Sequence, residues 1–326
     1  MKTWTLGVIG GSGLYDLEGL EDRRWVSVDS SFGAPSDALL TGRLGKATLA
    51  FLPRHGRGHV LPPSQVNARA NIDALKRFGC TDILSLSAVG SLREAIEPGA
   101  FVVVDQFIDR TFAREKSFFG PGLVAHVSVA EPVCPRLSAM AAEAARAAGA
   151  RVVEGGCYLA MEGPQFSTKA ESALYRSWGC DVIGMTNMPE AKLAREAELP
   201  YASVAMVTDY DGWHEEIAHV EVAHIVEVMH ANSAKARDLV RRLVLALPPT
   251  RAASPIDTAL NDAIITTPEA RDPAMIERLS AVAGRVLSPL LQGGVRPKGG
   301  RGVNSAGAGP PSPASPVLPP AAGGRE

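Results

Sequence analysis

Two carboxylates stand two residues apart in Thr208-Asp209-Tyr210-Asp211, directly after the apolar run 202–207. On extended backbone that spacing turns both side chains to one side. Carboxylates held close raise one another's pKa, and burial adds to the rise. Such a pair can therefore keep a proton near neutral pH and deliver it to a leaving group. An acidic turn or a metal site fits the same two residues, although no histidine or third acid stands nearby at ligand spacing.

A second set suits an anion. Arg54 and His55, in Pro53-Arg54-His55-Gly56, offer a planar fork of donors and one further donor from an imidazole. Ser87 ends the apolar run 83–87, and Thr186 follows the run 181–184. Gly10-Gly11-Ser12-Gly13 follows the first apolar run and presents bare amides, but it lacks the GxGxxG spacing of a dinucleotide fold. Taken singly these read as a turn, a surface arginine and a core histidine. Ligands in open α/β sheets collect beyond the carboxyl ends of strands, so together they can converge on one anion. Phe166, in Glu162-Gly163-Pro164-Gln165-Phe166-Ser167, suits stacking on a planar ring and equally a hydrophobic staple. Met185 suits a core position as well as a ligand contact.

These side chains need a frame, and its punctuation is visible. Strands are expected at 5–9, 83–87, 101–104, 181–184 and 202–207, with a hairpin pairing 38–42 and 47–52. Helices are expected from Asn67 to Phe78 before Gly79, from Pro135 to Gly149, after the capping box Thr168-x-x-Glu171, from Pro189 toward Pro200, and over 220–247. Strands alternating with helices predict an α/β fold, one domain around a mixed, largely parallel sheet flanked by helices. From Gly293 to Glu326 the chain is mostly Gly, Pro, Ser and Ala, too poor in large apolar side chains to offset its ordering entropy. The expected division is a folded unit over 1–290 and a disordered tail over 291–326.

Composition narrows the class. Of 326 residues, 46% are hydrophobic and the formal net charge is −2, which lacks the basic footprint of a nucleic-acid binder. No apolar run approaches the ~20 residues that span a bilayer. No secretory leader is expected from the first residues, and Cys80, Cys134, Cys157 and Cys180 show no CxxC spacing. A cytoplasmic enzyme with reduced thiols, and with neither membrane nor nucleic acid as partner, is the expectation.

Several segments together resemble the 5′-methylthioadenosine phosphorylases of the trimeric purine nucleoside phosphorylase superfamily. They are Ile9-Gly10-Gly11-Ser12-Gly13-Leu14, Arg54-His55-Gly56-Arg57, Ser87-Ala88-Val89-Gly90-Ser91, Asp105-Gln106-Phe107-Ile108-Asp109-Arg110-Thr111, Glu162 to Ser167, Met185-Thr186-Asn187-Met188-Pro189-Glu190 and Thr208 to Trp213. The resemblance implies phosphorolysis of 5′-methylthioadenosine to adenine and 5-methylthioribose 1-phosphate in methionine and purine salvage, with inorganic phosphate as co-substrate and no cofactor or metal. It implies a phosphate site of Ser12, Arg54, His55, Ser87 and Thr186, and a nucleoside site of Ala88, Phe166, Ile183 and Met185. Asp209 and Asp211 would face the purine, with Asp209 as the acid. Val222 and Ile225 would form an apolar 5′ pocket, whose preference for methylthio is worth only ~1–3 kcal/mol. In a homotrimer, His126 and Leu287 would reach a neighbouring subunit's pocket. His219 and His224 lie close enough in sequence to that 5′ pocket to leave 5′-methylthioinosine or an ordinary purine nucleoside as the alternative substrate. Asn187 carries no assigned role. A hydrolase using water is the competing reaction class, disfavoured by the anion set.

Overall fold

The computed structural model describes residues 3–214 and 222–291, without the side chains of Ser12, 222–226 and 288–291. Of the tail expected to be disordered, 291–326, residue 291 ends the last helix and 292–326 lie outside the described residues.

The first half runs β1 (Thr5–Gly10), β2 (Glu21–Val26), β3 (Leu39–Leu44), β4 (Ala47–Pro53), α1 (Ala68–Phe78), β5 (Asp82–Ser91), β6 (Ala100–Val104) and β7 (Gln106–Asp109). The second half continues α2 (Pro135–Ala147), β8 (Arg151–Glu154), β9 (Cys157–Ala160), α3 (Lys169–Ser177), β10 (Val182–Gly184) and α4 (Glu190–Glu196). It ends with β11 (Tyr201–Tyr210), α5 (Val222–Ala246), α6 (Pro273–Arg278) and α7 (Gly284–Leu291).

Local chemistry explains the boundaries. Asn67 caps α1 by accepting from the Ala70 amide, and Gly79 stops it in the left-handed region at φ 96°. Thr168 and Glu171 form the reciprocal capping box that opens α3.

The eleven strands among the described residues join one mixed sheet with the path β2-β3-β4-β1-β5-β10-β9-β7, while β11 pairs with β5 and β6, and β6 with β8. The pairs β1–β4, β1–β5, β11–β5, β10–β9, β7–β9 and β6–β8 are parallel. Alternation along the central strands feeds two cores. Leu6, Val8, Leu84 and Leu86 pack with α2 and α5 residues such as Leu137, Ala141 and Leu239. Ile9, Ile83 and Ala205 pack on the other face with Ile72 and Leu75 of α1 and Leu193 of α4. Among the described residues, no helix is long and apolar enough to cross a membrane.

The feature that makes a site is the length of β5. Its first half pairs with β1 as far as Ile9 opposite Ser85. Its last residues, Gly90 and Ser91, pair instead with β10. Between these pairings one edge of β5 changes partner, the kind of switch point where α/β sheets bind ligands. Ser87, Ala88 and Val89 occupy that interval.

Candidate active site

A cavity of about 350 Å³ opens at the switch point, within the size range of small-molecule sites. Arg54, His55, Ser87 and Thr186 line it together with Ala88, Phe166, Ile183, Met185, Asp209 and Asp211. Segments more than a hundred residues apart in sequence thus share one space. The side chains of Ser12, Val222, Ile225 and His224 lie outside the described residues, as does His219 entirely.

Arg54 is 3% exposed and extensively engaged. Its Nε donates to Glu190 Oε1 at 2.5 Å, and its Nη2 to Glu190 Oε2 at 3.1 Å and Ser85 Oγ at 2.6 Å. Its Nη1 donates to the Leu86 carbonyl at 3.0 Å. The expectation of an open fork aimed at an anion needs correction. Four of the guanidinium's five N–H groups are committed to protein, which leaves one Nη1 hydrogen uncommitted among the described residues.

His55 also differs from its expected role as a donor. Its Nδ1 lies 2.9 Å from the Leu61 carbonyl, an acceptor, so the proton sits on Nδ1. Burial, together with the positive charge of Arg54, pushes its pKa down to about 4. Near neutral pH the ring is uncharged, and Nε2 is an acceptor. His59, which sequence reasoning passed over, stacks on this ring at 4.4 Å between centroids and also lines the cavity. Its spacing of four residues from His55 in one loop was the available signal.

Ser87 is 5% exposed, and its hydroxyl makes no well-formed hydrogen bond among the described residues, only a weak interaction with the Tyr158 hydroxyl. The Thr186 hydroxyl lies 3.1 Å from the hydroxyl of the buried Tyr158, which also accepts from the Thr186 amide at 3.4 Å. Asn187 is fully buried behind the cavity. Its Oδ1 accepts from Ser85 and Tyr201, and its Nδ2 donates to Ser203. These partners give Asn187 a supporting place in the network around Arg54.

At the other end, β11 carries an irregularity between Val207 and Asp209 in its pairing with β5. The extra residue re-aims the strand, so that Thr208 and Asp209, which simple alternation would send to opposite faces, both line the cavity. The Thr208 hydroxyl donates to Asp209 Oδ1 at 2.6 Å. Gly90 separates the two acids: a Cβ there would stand 3.5 Å from Asp209 Oδ2 and 3.4 Å from the Asp211 Cβ. Asp211 is 7% exposed, and its Oδ2 makes no well-formed hydrogen bond among the described residues, the neighbouring Ser172, Ser167 and Gly212 donors interacting only weakly with the carboxylate. Burial raises its pKa against the pull of the Ser172 hydroxyl and the Gly212 amide, and Glu171 adds to the rise. The expected mutual elevation by the neighbouring aspartate is thus replaced for Asp211 by burial and a glutamate on α3.

The cavity also has an apolar lining, from Ile183, Met185, Met161 and Met206. Phe166 is 69% exposed at the rim, which removes the staple reading. His126 is exposed, with its amide on the Ala263 carbonyl, and it does not line this cavity. Leu287 is fully buried in its own chain's core, so the expectation that it reaches a neighbouring subunit is wrong. Asn232 and Ser233 on α5 line the cavity without having been anticipated. So does Thr208, which was quoted only as part of a motif.

Comparison with known proteins agrees with this architecture. Residues 5–245 match the family model described as the phosphorylase superfamily. A protein of Cereibacter sphaeroides named S-methyl-5′-thioadenosine phosphorylase is 62% identical over 289 residues, covering 88% of this chain and 99% of the relative. One of the same name from Rhodospirillum rubrum is 61% identical over 284 residues, covering 86% and 97%. Among solved structures, a methylthioadenosine phosphorylase from an antarctic soil metagenomic library superposes with a TM-score of 0.82 at 43% identity, covering 86% of this chain and 99% of that one. The methylthioadenosine phosphorylase of Schistosoma mansoni in complex with adenine gives 0.69 at 40% identity, covering 74% and 91%. The switch-point cavity is therefore framed by a shared fold, and the chain belongs to the phosphorylase superfamily, among its S-methyl-5′-thioadenosine phosphorylases.

Proposed function

We propose that this protein cleaves S-methyl-5′-thioadenosine with inorganic phosphate, giving adenine and 5-methylthioribose 1-phosphate for salvage. The observation that carries the reading is a single cavity in which Arg54 sits on the Leu86 carbonyl of β5 near Ser87, Asp209 and Asp211 flank Gly90 farther along the same strand, and apolar side chains share the lining. Phosphate sits against the Ser87 and Thr186 hydroxyls, the remaining Arg54 N–H and the amides of the glycine turn, with Ser12 beside them. His55, as a neutral acceptor, takes a hydrogen bond from a protonated phosphate oxygen. The sugar lies along Ala88, Ile183 and Met185, and Phe166 covers the base.

The anion attacks C1′ as the glycosidic bond lengthens and positive charge develops on the sugar. Adenine is a poor leaving group as an anion, so Asp209 supplies or bridges a proton at N7. Asp211 Oδ2, short of a partner, accepts from the 6-amino group, which satisfies a buried oxygen and favours a 6-amino purine. Catalysis is then mainly positioning and electrostatics. Val222 and Ile225 take the methylthio group. His126 completes the pocket of a neighbouring subunit in a cytoplasmic homotrimer, and phosphate is the only co-substrate.

The test is a substrate panel with and without phosphate. Methylthioadenosine should be cleaved fastest and only with phosphate present, ahead of adenosine, methylthioinosine and inosine. Equal cleavage in phosphate-free buffer would replace the reading with hydrolysis, and faster turnover of inosine would replace its substrate.

A further inference from the structure

Three loops meet on one side chain just outside the cavity wall. The side chain of Arg114 is 6% exposed, and each of its five N–H groups has an acceptor. Its Nη1 donates to the carbonyls of Met185 and Met188, both at 2.8 Å. Its Nη2 donates to the carbonyls of Met161 at 3.3 Å and Glu162 at 2.7 Å. Its Nε donates to Glu162 Oε1 at 3.2 Å. Glu162 in turn accepts from the amides of Phe112 and Ala113 and from the Ser64 hydroxyl. Burial would raise its pKa, but these donors and Arg114 outweigh burial and bring it down to about 2, so the carboxylate stays ionised.

Four main-chain carbonyls on two separate loops are thus gripped by one planar group. Both loops reach the cavity, one through Met161 and the other through Met185 and Thr186. They also touch each other. Gly163, at φ +70°, lies so close to Met185 that a Cβ there would stand 2.4 Å from its sulfur. A shift of either loop is therefore transmitted to the other. Thr186, by contrast, has its own anchor on Tyr158.

We propose that Arg114 is a positioning residue for the nucleoside half of the site: it fixes the height of Met185 under the sugar and leaves the phosphate end to other supports. The inference rests on the phosphorolysis reading and deepens it. A lysine cannot replace the grip, because a single ammonium presents a point charge where two loops need a fork. Loss of Arg114 still leaves the Met161 amide bonded to the Gly184 carbonyl at 2.9 Å, so the frame persists while Met185 drifts.

The experiment compares the parent with Arg114→Ala, Arg114→Lys and the double variant Arg114→Ala/Glu162→Gln. It measures KM for methylthioadenosine and for phosphate separately, together with thermal stability. Misplacement on the scale of an ångström reduces rate constants ~10²-fold. Arg114→Ala should accordingly raise KM for the nucleoside and lower kcat/KM by ~10–100-fold, with KM for phosphate little changed. Guanidinium ion below denaturing concentration should restore part of the loss. The double variant should regain stability, since its unpaired buried charge is gone, while keeping the nucleoside defect. Should Arg114→Ala not fold, Arg114→Lys decides, with the same split expected in smaller measure. An unchanged nucleoside KM in Arg114→Lys, or a double variant that regains activity along with stability, would overturn the role. Base release by the parent that ignores phosphate would overturn this role and the phosphorolysis reading together; phosphate dependence in the parent confines any failure to Arg114.

Discussion

The two ends of the cavity are finished to different degrees. At the anion end, Arg54 is spread over Glu190, Ser85 and Leu86, Thr186 is set on Tyr158, and His55 is pinned to the Leu61 carbonyl. At the base end, Asp211 is buried with Oδ2 unmatched among the described residues. The proposed anion end has most of its side chains hydrogen-bonded before any ligand arrives, as preorganised electrostatics requires. The base end instead holds an unsatisfied acceptor whose desolvation is relieved when a donor enters. Ser87, the exception at the anion end, is an unmatched hydroxyl in an otherwise finished frame.

The widest separation between the two ends should appear in Asp209→Ala. Loss of a proton donor typically reduces turnover ~10²–10⁴-fold, and phosphate KM should stay near that of the parent. Turnover equal to the parent's would remove Asp209 from the reaction.

Next in size is Glu190→Gln. Arg54 and Glu190 are both almost fully buried, and breaking such a pair costs about 3–5 kcal/mol. Urea denaturation should record most of that loss, with phosphate KM raised. A loss under ~1 kcal/mol, the range of an exposed pair, would show that the anion end is not the preorganised frame described.

Ser87→Ala should separate binding from stability. Its hydroxyl makes only a weak interaction with Tyr158, so the unfolding midpoint should change little. A hydrogen bond to a charged ligand is worth ~1.5–3 kcal/mol, so phosphate KM should rise ~10–100-fold. A clear drop in stability with KM unchanged would move Ser87 into the frame.

The smallest effect belongs to the far end of α4. Glu190 at its start is paired with arginine, while Glu196 at its end, 9% exposed, meets among the described residues only the Phe118 amide and the Ser117 hydroxyl. Burial raises the Glu196 pKa to about 7 against those two donors. The folded state therefore binds this proton more tightly than the unfolded chain does. The resulting penalty is absent below the ordinary glutamate pKa of ~4.3, grows as pH rises, and is complete above about 7. Glu196→Gln should be more stable than the parent above that pH by on the order of 1–3 kcal/mol and should lose this advantage in acid. Melting curves across the range check the sign; an advantage confined to acid would contradict it.

Much of the frame was written locally. Asn67 and Gly79 bound α1, Thr168 and Glu171 open α3, and the turn at 45–46 joins β3 to β4 as expected. The strands that escaped notice are short or exposed. β7, β8 and β9 hold four residues each, too few for alternation to register, and β2 is a charged edge strand. In the cavity the chemically active types stood out at strand ends, whereas their supports did not. Arg54 and Glu190 are 136 positions apart, and Arg114 grips carbonyls 47–74 positions away. No local pattern encodes such partners, because only folding brings them together. The donor state of His55 was equally hidden, since it depends on which carbonyl its Nδ1 meets.

The central claim is that an oxyanion and a proton donor act on one sugar–base bond from opposite ends of the same cavity. Single-turnover cleavage of methylthioadenosine with isotopically labelled phosphate tests it most directly. Every sugar released should carry the labelled phosphate on C1 and appear in step with adenine. Free methylthioribose formed alongside adenine, with the label left in solution, would contradict it.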